Sequence, residues 1–163
     1  MIRKANAADT PIIRDIIDKA KAFMRKNDNP YQWDEADYPG NKVPGDIEKG
    51  NGYVVERNGK VCGYFAFILG KDPTYTHIEG EWLDDVKDYG TIHRVASDGT
   101  EHEVLEEVLE YVFSVSDNIR IDTHEANGPM RHKLEKNGFS YCGIIYVEDG
   151  TPRRAYQKEK SRL

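Results

Sequence analysis

The chain contains little that would assign it to a disulfide-rich, metal-binding or membrane class of protein. Only two cysteines occur among its 163 residues, and Cys62 and Cys142 both lie in apolar, strand-like segments without metal-site spacing. We therefore expect two reduced cysteines in the core, no metal, and a cytoplasmic protein. No apolar run approaches the roughly 20 residues that a membrane-spanning helix needs, and the N-terminal MIRKANAADT lacks the apolar centre of a secretory signal.

An excess of positive charge is also missing. The formal net charge is −6, whereas proteins that bind phosphate backbones present a basic surface. We therefore expect no nucleic acid and no membrane among the partners. With 38% hydrophobic and 32% charged residues, the chain has the composition of a globular protein, and its length favours one domain over residues 1–163.

The first half of the chain contains clear local signals. Thr10 and Pro11 are typical of a helix start, and apolar residues follow at helical spacing until the helix ends near Asn27 to Pro30. Residues 28–45 indicate a long loop. Asn58-Gly59 separates two β-rich segments and predicts a hairpin with a two-residue turn.

The remaining segments complete a mixed pattern of strands and helices. The predicted elements are a strand over 2–5, a short helix from Asp46 to Lys49, hairpin strands Tyr53 to Arg57 and Lys60 to Leu69, an irregular stretch over 70–90, a strand from Ile92 to Ser97, a helix over about 101–114, a strand over 119–124, a helix over 129–136, and hairpin strands Tyr141 to Val147 and Arg153 to Lys158. The order is β-α-α-β-β-β-α-β-α-β-β. This order is typical of neither a doubly wound fold nor a β-sandwich.

Residues 119–147 (IRIDTHEANGPMRHKLEKNGFSYCGIIYV) indicate a strand, a helix that begins at Asn127-Gly128-Pro129 and ends at Asn137-Gly138, and a second strand. This unit resembles the C-terminal half of the GNAT superfamily of acyl-CoA N-acyltransferases, and the order of elements over nearly the whole chain agrees with it. The resemblance implies an α/β (α+β) fold with a mixed, mostly antiparallel sheet of about seven strands and helices on both faces. It also implies acetyl-CoA as co-substrate, a small-molecule or peptide amine as acceptor, and a homodimer as a common assembly.

The resemblance places the pyrophosphate of the coenzyme at the start of the central helix. The family has a Gln or Arg, two residues, a Gly, one residue, then Gly or Ala. The corresponding segment here comprises Thr100, Glu101, His102, Glu103, Val104 and Leu105. Thr100, Glu103 and Leu105 replace the three signature residues. Glu101 and Glu103 place negative charge near the expected phosphates, although acidic residues in a first turn also stabilise a helix without a ligand.

Other coenzyme contacts follow from the same resemblance. The backbone of Val95, Ala96 and Ser97 would pair with the pantetheine arm, and the amide of Asn127 would bond that arm. Asn127 is equally suited to capping the helix that follows it. The family often has a tyrosine that protonates the departing thiolate. The corresponding residue here is Leu134, so either water or another group supplies that proton, or the chemistry is slow.

Acetyl transfer also requires a base, because an ammonium must lose a proton before it attacks a thioester. Candidates by position are Glu79, Glu81, His93 and His124. A histidine in a strand is, however, often a structural residue, and a solvated strand end is the alternative interpretation of His124.

The resemblance also places the acceptor wall. In the 28–45 loop, Tyr31 and Trp33 would contact the acceptor and Asp34 its charge, unless these aromatic residues only cover the core. Glu148 and Asp149 form either an opposite wall or an ordinary turn.

The sequence thus favours an N-acetyltransferase that uses acetyl-CoA and direct attack of the amine on the thioester. The alternative is a GNAT-fold protein with a degenerate phosphate loop that acts as a weakly active or non-catalytic binding or regulatory module. A third interpretation is an enzyme that uses a different acyl donor or holds the coenzyme without the usual loop.

Overall fold

An eight-stranded sheet organises the computed structural model, which describes residues 1–160. The strands are β1 (Ile2–Lys4), β2 (Gly52–Arg57), β3 (Lys60–Leu69), β4 (Glu79–Gly80), β5 (Gly90–Ser97), β6 (Asn118–Thr123), β7 (Ser140–Tyr146) and β8 (Pro152–Glu159). The helices are α1 (Thr10–Lys26), α2 (Val43–Glu48), α3 (Val104–Val115) and α4 (Gly128–Lys136). The strand order is β1-β2-β3-β5-β6-β8-β7-β4, and β5–β6 is parallel while the other neighbours are antiparallel. The predicted mixed, mostly antiparallel sheet is confirmed.

The sheet has one strand more than the predicted seven. β4 lies within the stretch predicted to be irregular, and it pairs two residues with Ile144 and Gly143 of β7. A side chain on Gly143 would place its Cβ 2.2 Å from the carbonyl oxygen of Glu79, so this pairing requires glycine. A two-residue strand is too short to show hydrophobic periodicity, so no pattern in the sequence predicts β4.

Helices pack on both faces of the sheet, as predicted. The apolar stripe of α1 packs on one face, against residues that include Val54 and Tyr64. α3 packs on the other face, against Val55 and Phe65, because successive side chains in a strand point to opposite faces. α3 begins at Val104 rather than near residue 101. No helix within residues 1–160 combines the length and apolar character that crossing a membrane requires.

The parallel strands β5 and β6 separate towards their carboxyl ends. Their pairing covers Gly90–Ile92 and Ile119–Ile121, while β5 continues to Ser97 and β6 to Thr123. A bulge in β5 accompanies the separation: Arg94 has a φ of 55°. On β3, Ala66 pairs with His93 but Tyr64 pairs with Ala96. The bulge turns the end of β5 away from its neighbour and opens a wedge in the middle of the sheet.

Candidate functional site

A cleft of about 890 Å³ lies where β5 and β6 separate. Both strands line it, together with the loop before α2, the N-terminus of α4 and the hairpin between β7 and β8. Its lining residues include Trp33, Asp34, Tyr38, Asp46, Asp72, His93, Arg94, Val95, Asp122, Thr123, Asn127, Met130, Glu148, Asp149 and Arg153. The side chains that two central strands and three loops contribute therefore converge on one concave site, as in most ligand pockets.

An Asp–His pair lies in this cleft. His93 Nε2 is 2.7 Å from Asp72 Oδ2, and Asp72 Oδ1 accepts hydrogen bonds from the backbone N–H and the hydroxyl of Thr74 at 2.9 and 2.7 Å. Burial tends to raise the pKa of Asp72, but the hydrogen bonds from His93 and Thr74 outweigh it and lower the pKa to about 2. Because an ionised carboxylate only accepts hydrogen bonds, we assign a ring proton to Nε2, so Nδ1 is the ring nitrogen that is placed to accept a proton from a substrate.

A second carboxyl group lies beside this pair. Tyr75 donates a hydrogen bond from its hydroxyl to Asp122 Oδ2 at 2.7 Å. Burial raises the pKa of Asp122, and the electrostatic effect of His93, the hydrogen bond from Tyr75 and the charge of Arg153 only partly oppose this effect. Asp122 is thus shifted towards its neutral form.

The strand register brings His93, Asp122 and Arg153 to one face of the sheet. Ile92 pairs with Ile121, so the next residues, His93 and Asp122, share the opposite face. Asp122 pairs with Ala155 of β8, and Arg153 lies two residues before Ala155, on the same face. Three neighbouring strands therefore contribute an imidazole, a carboxyl and a guanidinium to the same cleft.

The side chain of Gln32 links the loop before α2 to the end of β6 and the start of α4. Its Oε1 accepts hydrogen bonds from Thr123 Oγ1 at 3.0 Å, His124 N at 3.3 Å and Asn127 Nδ2 at 3.0 Å. Asn127 Oδ1 accepts from Met130 N at 3.2 Å and so caps α4. Asn127 lines the cleft, but both ends of its amide group are already bonded. The nitrogen donates to Gln32 in the loop, and the oxygen accepts from the first turn of α4.

Comparison with known proteins identifies the family. No protein-family model matches the chain, and none of the curated proteins matches it. Among solved structures, a GNAT family acetyltransferase from Streptococcus agalactiae has a TM-score of 0.90 and 34% sequence identity over 99% of this chain and 96% of its own. The chain belongs to the GNAT family of acetyltransferases. The predicted family and acyltransferase class are confirmed, and the non-catalytic alternative is not favoured.

More distant GNAT structures show the same fold. A GNAT family acetyltransferase from Listeria monocytogenes has a TM-score of 0.72 at 18% identity, with 98% of this chain and 94% of that chain covered. The ribosomal-protein-alanine N-acetyltransferase from Brucella melitensis has a TM-score of 0.63 at 18% identity, with coverages of 98% and 99%. At these identities the likeness concerns the fold alone.

The segment predicted to bind the pyrophosphate, residues 100–105, has a glycine-like backbone at Glu103. Glu103 immediately precedes α3, has φ 57° and ψ 32°, and makes no side-chain cap. This left-handed conformation favours glycine, the residue that the family has at this position. The cleft lining reaches Val95 but does not include residues 100–105.

Arg57, at the end of β2, compensates part of the acidic charge of this segment. Its guanidinium donates to the carbonyl oxygens of His102 and Glu103, the latter at 3.3 Å. It also lies 3.0 Å from the carboxylate of Glu107 and 3.8 Å from that of Glu101. The side chain of Glu103 remains exposed. Thr100 is engaged locally, since its N–H and hydroxyl both bond Asp98 Oδ1.

The structure brings some of the predicted residues into the cleft and leaves others outside it. His93, Trp33 and Asp34 line the cleft, with Glu148 and Asp149 on the opposite hairpin. Leu134, at the position of the family's tyrosine, is fully buried in the core between α4 and the sheet. It belongs to the packing of the core rather than to the site.

Three predicted site residues lie elsewhere. Glu79 is in β4, the last strand of the sheet, where it accepts a hydrogen bond from Tyr146. His124 stacks on exposed Tyr31 with ring centroids 5.3 Å apart, and its Nδ1 accepts from the N–H of Ala126. The fold therefore does not bring Glu79, His124 or Tyr31 to the cleft wall.

The sequence interpretation missed Asp72, Asp122 and Arg153. Asp72 precedes Pro73-Thr74 and caps the short helix Pro73–Tyr75, a signal that the sequence does contain. Asp122 is a charged residue at the end of an apolar strand, which is a weaker signal. Nothing local distinguishes Arg153 from Arg154. Among the described residues, no group of three or more His, Cys, Asp or Glu side chains is placed to hold a metal ion.

Proposed function

We propose that this GNAT protein transfers an acetyl group from acetyl-CoA to the amine of a small molecule or peptide by direct attack on the thioester. The observation that carries the proposal is the His93–Asp72 pair at the opening between β5 and β6. An amine and a thioester that meet in this cleft would lie next to a basic imidazole nitrogen.

The residues present fit the pantetheine arm of the coenzyme. β5 pairs with β3 through Ala96 and Ser97, but its pairing with β6 covers only Gly90–Ile92. The backbone groups of Val95–Ser97 on the side towards β6 are therefore suited to pair with the amides of the arm. When bound, acetyl-CoA supplies an activated acetyl thioester.

His93 would act as the general base. An amine acceptor arrives largely as an ammonium, and Nδ1 of His93 would take the proton that must leave before attack. The Asp72 carboxylate would hold the ring in its tautomer and stabilise the imidazolium that forms, as the carboxylate of a Ser–His–Asp triad does. Asp72 thus acts through His93 and is a positioning residue.

Direct attack is favoured over a covalent enzyme intermediate by the placement of the cysteines. Cys62 and Cys142 are both buried, and neither lines the cleft. Burial raises the pKa of both thiols, which keeps them protonated and unreactive. Because Leu134 replaces the family's tyrosine, we propose that the leaving thiolate takes its proton from water.

Calorimetric titration and thermal shift with acetyl-CoA and desulfo-CoA test the proposal. A ligand that binds only the folded state raises the melting temperature by mass action, so both molecules should raise it in the millimolar range. Release of free thiol from acetyl-CoA should then depend on an added amine. Absence of any shift at millimolar acetyl-CoA would refute acetyl-CoA as the donor.

A further inference from the structure

Arg153 is a buried cation that has no ion-pair partner among the described residues. Its side chain is only 7% exposed, and its guanidinium donates to Thr151 Oγ1 at 3.0 Å, Pro152 O at 2.8 Å and Gln32 O at 3.1 Å. All three acceptors are neutral. Within residues 1–160 no carboxylate lies within 4.0 Å of it. Because buried charges are normally paired, this guanidinium is an unusual feature of the cleft.

The other arginines near the middle of the sheet are compensated. Arg120, also buried, lies 3.1 Å from the carboxylate of Asp85 and between the rings of Trp82 and Tyr89. Arg94, in the wall of the cleft, forms an ion pair with Asp46. The fold therefore supplies a carboxylate wherever it buries a guanidinium in this region, except at Arg153.

The carboxyl groups of Asp122 and Asp149 interact with the charge of Arg153, but neither forms an ion pair with it. Asp122 shares its sheet face, but burial raises the pKa of Asp122 towards the neutral form. Asp149 Oδ1 is occupied by the N–H and hydroxyl of Thr151, at 3.0 and 2.6 Å. Within residues 1–160, the guanidinium of Arg153 thus has no carboxylate in direct contact, and it lines a cleft that also contains the proposed base.

The distance between Arg153 and His93 suits a small acceptor. They lie on β8 and β5 with β6 between them, and Arg153 lies two residues before Ala155, the β8 partner of Asp122. At the usual spacing of strands and of residues along a strand, their backbones are roughly 12 Å apart. The two side chains occupy part of this distance, so the geometry suits an acceptor that carries its anionic group a few atoms from its amine.

We propose that the acceptor is an amino acid whose free carboxylate pairs with Arg153 while its amine reaches His93. Arginine binds carboxylates through two parallel hydrogen bonds, which would fix the orientation of the amine as well as hold the molecule. Trp33 and Tyr38, which line the same cleft, would contact the acceptor's side chain. This inference rests on the proposed function and narrows its acceptor to one chemical class.

A panel of paired acceptors tests the inference on the wild-type protein. Each of the standard amino acids is compared with its own carboxamide and with the amine that lacks the carboxyl group, at saturating acetyl-CoA. For the best amino acid, kcat/KM should exceed that of its carboxamide by at least about 30-fold, the usual loss when one partner of a buried charge pair is removed. The carboxamide has the less basic amine, so amine reactivity alone would favour the opposite result.

Two variants assign the preference to Arg153. Arg153→Gln should abolish the discrimination between acid and carboxamide, mainly by raising the KM of the acid, while the KM of acetyl-CoA stays unchanged. Arg153→Lys keeps the charge and should retain part of the preference. Because Arg153 also bonds Gln32 O, thermal unfolding is measured for each variant. If Arg153→Gln does not fold, the wild-type panel and Arg153→Lys still show whether the protein prefers the carboxylate and whether Arg153 is responsible.

The outcomes separate this inference from the proposed function. If the protein does not bind acetyl-CoA, the proposed function fails and the inference fails with it. If it binds and uses acetyl-CoA but acetylates carboxamides or simple amines as well as amino acids, only the carboxylate inference is overturned. Retention of the full acid preference in a folded Arg153→Gln variant would also overturn the assignment to Arg153.

Discussion

His93 and His124 lie 31 residues apart in sequence and have different surroundings in the fold. His93 bonds Asp72 in the cleft, whereas His124 stacks on Tyr31 outside the lining. Burial lowers the pKa of His124, which favours its neutral form, but its Nδ1 already accepts a backbone hydrogen bond. Only His93 has both a carboxylate that orients it and access to the cleft.

Replacing His93 should therefore remove most of the catalysis without removing the coenzyme. His93→Gln should lower kcat by about 10²- to 10⁴-fold, the range typical of a lost general base. The calorimetric Kd for acetyl-CoA should stay within about two-fold of wild type, because backbone groups provide the pantetheine contacts. His124→Gln is the matched control and should retain near wild-type kcat. Equal losses in the two variants would contradict the assignment of the base to His93.

The Asp72 carboxyl predicts an acid dependence of stability. Its folded-state pKa of about 2 lies below the ordinary value of 3.8, so Asp72 contributes stability that is complete above about pH 4 and is lost as the pH falls through 2. The free energy of unfolding of wild type should exceed that of Asp72→Asn at pH 6, and the gap should shrink towards pH 2. Urea denaturation at several pH values measures both.

A matched carboxylate on the surface provides the control for that measurement. Asp15 pairs with Lys19 on the exposed face of α1, at 2.9 Å. Exposed pairs of this kind contribute little to stability, so the free energy of unfolding of Asp15→Asn should stay close to that of wild type at every pH. A pH-independent gap for Asp72→Asn would mean that the carboxylate charge of Asp72 does not stabilise the fold.

At the scale of elements, the start of α3 departs from the phosphate-loop pattern that the sequence resemblance predicts there. That pattern has Gly where this chain has Glu103, and Gly or Ala where it has Leu105, yet Glu103 still adopts the left-handed backbone. The acidic side chains, and not the path of the backbone, therefore distinguish this loop. Arg57 offsets part of their charge by bonding two loop carbonyl oxygens and two of the nearby carboxylates.

Glu103→Gly should strengthen acetyl-CoA binding several-fold. The substitution removes a negative charge near the expected phosphates and places glycine at a left-handed position. The free energy of unfolding should change by no more than about 1 kcal/mol, because relief of backbone strain is opposed by the greater freedom of the unfolded chain. Calorimetric Kd values in low salt measure the gain.

Glu110→Gln is the charge control for this substitution. Glu110 is exposed on α3 seven residues further along, roughly 10 Å away at the rise of a helix. It should leave the Kd for acetyl-CoA nearly unchanged. An unchanged Kd in Glu103→Gly would show that the phosphates bind away from this loop.

At the scale of the whole molecule, the two tryptophans lie in separate apolar clusters. Trp33 packs with α1 and Val43, while Trp82 packs with Tyr75 and Tyr89. The shared sheet connects the clusters, which supports the prediction of one domain over residues 1–163. The cytoplasmic location and the homodimer also stay predictions. The two free cysteines agree with the former.

Unfolding should therefore be a single cooperative transition reported equally by both tryptophans. In Trp33→Phe the fluorescence follows Trp82, and in Trp82→Phe it follows Trp33. In each variant the fluorescence and far-ultraviolet circular dichroism transitions in urea should coincide, since that coincidence is the mark of two-state unfolding. An earlier transition at either tryptophan would show that its cluster unfolds separately.

The sequence by itself determined the elements and the family. Signals such as Thr10-Pro11 for α1, Asn58-Gly59 for the β2–β3 hairpin and Asn127 for α4 act over a few residues, so the chain reveals them directly. The order of these elements then led to the fold. Local signals also misplaced the start of α3 and missed β4, whose two residues depend on a partner strand.

Only the tertiary structure decided which polar side chains share the cleft. His93 meets Asp72 across 21 residues of sequence, and Arg153 meets Gln32 across 121. These contacts depend on the strand order, on the bulge at Arg94 and on where β5 leaves β6, and no local pattern encodes such distant neighbours. The sequence therefore specified a GNAT protein, while the sheet alone determined that a basic imidazole and an unpaired guanidinium lie on the same face.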